Sequence, residues 1–234
     1  MNRRHFSRLS VAYTAAMWCA FPKTGQALTL SDVSSTQATQ GVKAALEKGV
    51  RFAIDSLGRH NGFLGNDKVR IPLPGYLEDA SRLLRRLRQG DRLDELAAAM
   101  NHAAEAAVPL ARDVLVGAVK SMGVQDAKNV LVGGETSVTQ FFADKTRAQL
   151  ADKLLPMVKK TTQQVRLADK YNRIASQAAS FGLLKGDEVS LERYVTGKTL
   201  DGLYFMIGEE EKKIRQDPVG TGNAVLQRVF GAMK

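Results

Sequence analysis

Ser35-Thr36-Gln37-Ala38-Thr39-Gln40-Gly41-Val42-Lys43-Ala44-Ala45-Leu46-Glu47-Lys48-Gly49-Val50-Arg51-Phe52-Ala53-Ile54-Asp55-Ser56-Leu57-Gly58-Arg59 decides the fold class. Val42, Ala45, Leu46, Val50, Ala53, Ile54 and Leu57 recur at steps of three and four. That spacing lines one face of an α-helix with apolar side chains. Gly58 and His60-Asn61-Gly62 end the pattern.

The stretch that follows, residues 60–75, cannot be a helix, because its prolines and glycines break one. Yet Phe63, Leu64, Val69, Ile71 and Leu73 are apolar and call for burial. Val69 to Leu73 alternates apolar and other residues, which allows a short extended piece. A long, ordered, apolar loop of this kind is often functional; the plainer reading is a plug for the core.

Helical periodicity then resumes and continues to the C-terminus. A helix is predicted near 76–89, with Leu77, Ala80, Leu83, Leu84 and Leu87 inward. Asp91 is read as the cap of a long helix reaching Met122 and kinked at Pro109. A short helix lies within 125–132. Another starts at Thr136 or Ser137 and runs to Pro156, continuing from Val158 to Ala179. Ser190 starts a segment reaching Ile214, and residues 224–233 form a last short helix. There is no repeat of fixed period and no low-complexity linker. The expectation is an all-α fold, one compact domain of seven to nine helices over residues 28–234, with the ordered apolar loop near 60–75.

Residues 1–27 read as a signal peptide. Arg3, Arg4 and Arg8 precede an apolar run from Leu9 to Phe21, and small residues end at Ala27, the expected cleavage point. The run is too short for a membrane-spanning helix, and no later segment is apolar enough. Arg3-Arg4-His5-Phe6 is similar to a twin-arginine export signal; the general secretion route also stays open. Both routes imply a soluble periplasmic protein.

The chain carries 34 Lys+Arg and 24 Asp+Glu, a formal charge of +10. Arg3, Arg4, Arg8 and Lys23 fall in the leader, so the remainder carries +6. That is modest, and a solvated mixed-charge surface accounts for it. Nucleic-acid binding is not expected. The single cysteine, Cys19, lies in the leader, so the mature chain has no thiol chemistry and no disulfide.

No phosphate loop, nucleophile elbow or zinc signature is present. Asn101, His102 and Glu105 could share parts of one helix face, but His-x-x-Glu supplies only two metal ligands. Beyond the leader only His60 and His102 remain, so no metal, cofactor or catalytic residue is assigned. Glu209-Glu210-Glu211-Lys212-Lys213 reads as a solvated helix face with Glu209–Lys213 and Glu211–Arg215 pairs.

Several stretches together resemble one bacterial family: Gly41 to Leu57; Asn61 to Asn66 with Val69 to Pro74; Met100 to Glu105; Asp126-Ala127; Tyr194 to Tyr204; and Glu209 to Arg215. The chain resembles the domain-of-unknown-function family 4197 over nearly all of residues 30–231. The resemblance implies an exported helical protein of Gram-negative bacteria and brings no established activity. His60 and His102 stand where the family pattern leads one to expect other residues.

Three functional readings follow. The first is a non-enzymatic binding or envelope-associated protein, with Phe63, Leu64, Met100 and Phe141 lining a pocket for a small apolar ligand. The second is an enzyme using Asn101, Glu105, Asp201 or Glu210. The third is an interaction module that docks on an envelope protein by an exposed helix face. The ligand-contacting candidates are Phe63, Leu64, Asn101, Glu105, Lys198 and Asp201.

Overall fold

The structure is a computed structural model describing residues 29–88, 90–123, 125, 127–180 and 190–233. The leader, Asp126 and Glu188 lie outside the described residues. Among the described residues the fold is all-α, with nine α-helices and no strand. They are α1 (Ser35–Leu57), α2 (Glu78–Arg86), α3 (Gly90–Leu110), α4 (Arg112–Ser121), α5 (Ala127–Leu131), α6 (Ser137–Gln164), α7 (Leu167–Ser180), α8 (Leu191–Gln216) and α9 (Ala224–Gly231). Among the described residues no helix is long and apolar enough to cross a membrane.

Helix α1 forms where the periodicity places it. Ser34 starts it with a capping box: its hydroxyl accepts from Gln37 N–H, and the Gln37 side chain accepts from Ser34 N–H. All seven apolar stripe residues are buried. The stripe packs mainly against α8 and α9, with α4 and α5 beside it. Close approach needs small residues. A Cβ at Gly41 would lie 2.6 Å from Val229 Cγ1 in α9, and one at Gly49 would lie 2.9 Å from Ile207 Cγ2 in α8. Helix α8 is the hub, because it also packs along α6, and α3 closes the other side of α6.

Two boundaries differ from the sequence reading, and both involve proline. The expected single kinked helix from Asp91 to Met122 is two helices. Pro109 stays inside α3, and the chain breaks at Ala111, whose N–H is shared between the carbonyls of Ala107 and Val108. Pro109 lacks an amide donor and its ring crowds the preceding turn, so the ladder fails two residues on. Pro156, by contrast, does not end its helix. Helix α6 continues to Gln164, held by buried Leu154 and Val158 on either side. The break falls at Arg166, where φ is 53°.

Residues 58–74 are irregular, as their composition requires, with turns over 60–65 and 67–69 and no regular element over 70–74. Val69 N–H and Arg70 N–H both donate to the Asn66 carbonyl, and Lys68 N–H donates to the Asn66 side chain. Phe63, Val69 and Ile71 are buried.

Candidate functional site

Helix geometry places Asn101 and Glu105 one turn apart on the same face of α3, directed at this loop. The Asn101 carboxamide behaves like a neighbouring strand. Its oxygen accepts from Ile71 N–H at 2.8 Å, and its nitrogen donates to the Ile71 carbonyl at 2.9 Å and the Ala97 carbonyl at 2.8 Å. Glu105 holds the other end. Oε1 accepts from Phe63 N–H (3.1 Å) and Leu64 N–H (3.0 Å), and Oε2 accepts from Asn61 N–H (3.2 Å). His102 Nδ1 lies 2.9 Å from Oε2. With three N–H donors already on it, the carboxylate acts as acceptor there too, so Nδ1 carries the proton. Buried polar groups need such partners, and a loop with no ladder of its own finds them on α3.

The loop start requires a left-handed residue, and Asn61 supplies it at φ 59°, a conformation asparagine tolerates. Phe63 then drops into the core against α8, where a Cβ at Gly202 would meet its ring at 2.6 Å. Tyr194 of α8 donates its hydroxyl to the Pro72 carbonyl at 3.1 Å. Burial, followed by the charge of Asp201, pushes the Tyr194 phenol above its ordinary value. Thus α3 and α8 grip the loop from two sides.

Where the loop meets α8 a shallow groove of about 240 Å³ opens, lined by Lys68, Arg70, Lys198, Asp201, Gly202 and Phe205 among others. Lys198 and Arg147 both pair with the half-exposed Asp201. Lys68 lies 3.8 Å from Glu209 and 5.9 Å from the Phe205 ring centre. Phe205 is 37% exposed, notable for a phenylalanine among charges.

The six candidates therefore divide. Asn101 and Glu105 are buried and occupied with backbone groups of the loop. Phe63 is fully buried, and Leu64 is half-buried with its amide on Glu105. Lys198 and Asp201 sit together at the open groove. Glu105 and Asp201 have separate partners, so the convergence that an enzymatic cleft would need is not seen. Met100 is fully buried, whereas Phe141 lines a different groove of about 500 Å³ with Met122, Lys145 and Gln149.

The acidic run on α8 corrects the sequence reading most sharply. Glu210 and Glu211 are buried, not solvated. Glu211 accepts from Val138 N–H (3.1 Å), Thr139 N–H (2.8 Å) and the Thr139 hydroxyl (2.7 Å). It caps α6 from another helix, at a start where Thr136 makes no side-chain cap bond. Arg215 neutralises it at 2.8 Å and also donates to the Leu131 carbonyl and the Ser137 hydroxyl. Glu210 lies between Lys48 and Lys213, and Glu209 pairs with Lys212 in place of the expected Lys213.

A second unforeseen juxtaposition joins residues far apart in sequence. The His60 and His102 rings lie near-parallel with centres 5.3 Å apart. With Glu105 they place one ligand-type atom each within 4.8 Å of one another.

Residues 32–231 match the family described as a protein of unknown function, DUF4197. The chain belongs to the DUF4197 family. The motif resemblance and the family match agree in extent, and they span α1 to α9. No curated protein and no solved structure matches this DUF4197 chain. The family-like motifs fall on α1, on the loop and its α3 clamp, at Ala127 where α5 starts, and on α8 from the face beneath the loop to the Glu211 cap.

Proposed function

We propose that this DUF4197 protein is an exported, periplasmic binding protein that works by docking and not by chemistry. Its working surface would be the loop 60–74 face, presented to an acidic segment of an envelope protein. The observation that supports this most is the use made of Asn101 and Glu105. The polar side chains best suited to chemistry are occupied in pinning an irregular loop to α3. A loop held that firmly offers a preorganised surface, which lowers the entropic cost of binding. Its exposed residues Lys68 and Arg70 join Lys198 and Phe205 in a mainly basic groove with an aromatic side chain, Asp201 being the one acid in its lining. Charges of this kind steer an oppositely charged partner.

The test is in-cell photo-crosslinking from position 205, with cell fractionation of the same samples. A discrete periplasmic adduct that disappears in Lys68→Glu/Arg70→Glu supports the reading. An adduct indifferent to that charge reversal, no adduct, or a chain retained in the cytoplasm overturns it. One observation favours a second reading, a small apolar ligand in the groove of about 500 Å³ beside Phe141 and Met122. Native mass spectrometry of protein taken from periplasm, showing a bound small molecule lost on Phe141→Asp, would favour that reading instead.

A further inference from the structure

We infer that His60, His102 and Glu105 form a binding site for one divalent transition-metal cation at the root of the loop. These residues come from two segments, the end of the α1–loop junction and one turn of α3. The loop anchoring described above brings them together: Asn61 N–H on Glu105 fixes the backbone next to His60. Their ligand-type atoms lie within 4.8 Å of one another. A cation held about 2.1 Å from nitrogen and oxygen ligands sets those atoms roughly 3–3.5 Å apart, and His102 Nδ1 and Glu105 Oε2, 2.9 Å apart, are already near that spacing. The His60 ring, stacked on His102 and exposed, has to turn out of the stack to aim a nitrogen at the same ion.

The donor set also selects the class of ion. Two imidazoles and one carboxylate suit Zn²⁺, Ni²⁺ or Cu²⁺, whereas Mg²⁺ and Ca²⁺ prefer oxygen. Glu105 is buried and, as a carboxylate, offsets half the charge of the ion. The ion takes the place of the Nδ1 proton that now bridges His102 to Oε2, and that proton passes to solvent. Oε1 keeps its bonds from Phe63 and Leu64, so the carboxylate stays oriented while Oε2 ligates. His60 is exposed and His102 half-exposed, so the remaining coordination positions face water. A bound ion would cross-link the start of the loop to α3.

The test uses the untagged full chain, stripped with EDTA and titrated calorimetrically with zinc chloride, then with copper sulfate for electron paramagnetic resonance. One equivalent of Zn²⁺ with a raised Tm is expected, and two nitrogen couplings on Cu²⁺. His60→Phe keeps an aromatic ring at the stack but removes its nitrogen. It should bind about tenfold or more weakly, show one nitrogen coupling, and keep the wild-type Tm in EDTA. His5→Gln, altering the one histidine of the leader, should bind as the wild type does. Absence of stoichiometric uptake by the wild type overturns the site. So does undiminished affinity in His60→Phe, or loss of binding in His5→Gln.

Discussion

Gly197 and Gly202 stand five residues apart on α8, and each would raise helix propensity if changed to alanine, by about 1 kcal/mol. Their surroundings differ. A Cβ at Gly197 meets nothing within 4 Å, whereas one at Gly202 meets the fully buried Phe63 ring at 2.6 Å. Gly197→Ala should therefore raise the urea midpoint. Gly202→Ala should lower it, since overpacking costs roughly 1–3 kcal/mol, and Phe63→Leu should restore part of the loss in the double variant. Equal shifts for the two alanines would refute the packing argument. Tyr204 gives a second prediction. Burial pushes its phenol above the ordinary value, more than the Thr146 hydroxyl and the Arg147 charge lower it. Above pH about 10, the usual tyrosine value, the unfolded chain ionises first and the folded state holds the proton. Stability should then fall as pH rises through the raised value. Unfolding curves at neutral and alkaline pH should show this slope, and Tyr204→Phe should reduce it. Neither residue announces its role in the sequence. Apolar periodicity marks Phe63 as buried, but its seat against Gly202 depends on how loop and helix meet.

At the scale of elements, the acidic run on α8 is the instructive case. Glu209 to Lys213 has the composition of a solvated face, and helical spacing alone supports that reading. The chain instead turns both Glu210 and Glu211 inward: Glu211 meets α6, which begins without a side-chain cap of its own and offers free amides to a carboxylate, and Glu210 meets Lys48 of α1. Removing one partner of a buried ion pair costs about 3–5 kcal/mol. Glu211→Ala should lose stability of that order in urea denaturation and speed amide exchange at Val138 and Thr139. Unchanged exchange at those two amides would show that the cap is not needed. The helices themselves were legible from periodicity and caps. Ser190 starts α8 as its sequence context indicates, its hydroxyl accepting from Arg193 N–H. The breaks at Ala111 and Arg166 were not legible, because two prolines of similar local context produce different outcomes once packing decides.

For the molecule as a whole, the loop is a separate unit of stability laid over a helical core. Each buried amide left without a partner costs about 1–3 kcal/mol. Glu105→Ala takes the acceptor from three amides, the buried one of Phe63 and the part-buried ones of Asn61 and Leu64. Limited trypsin treatment should then cut at Lys68 or Arg70 roughly tenfold faster or more, in proportion to the open population, with the circular dichroism of the helices little changed. Loss of helicity before cutting would mean that the loop and core unfold together. The all-α class and the odd, partly buried loop could both be read from composition and pattern. The pairing of His60 with His102 could not, since 42 positions separate them in sequence and only the loop's path closes the gap.

The Glu211 cap has one more consequence, for the order in which the chain can fold. The bonds to Val138 and Thr139 span 73 and 72 residues, and α1 buries its stripe mainly under α8 and α9. Contacts so distant in sequence form slowly, because the intervening chain must first be closed into a loop. During synthesis α1, the first of the described α-helices to emerge, is therefore among the last to be covered. Until the C-terminal helices arrive, its apolar face stays open to aggregation, and a nascent chain halted before residue 211 would still depend on a holding chaperone.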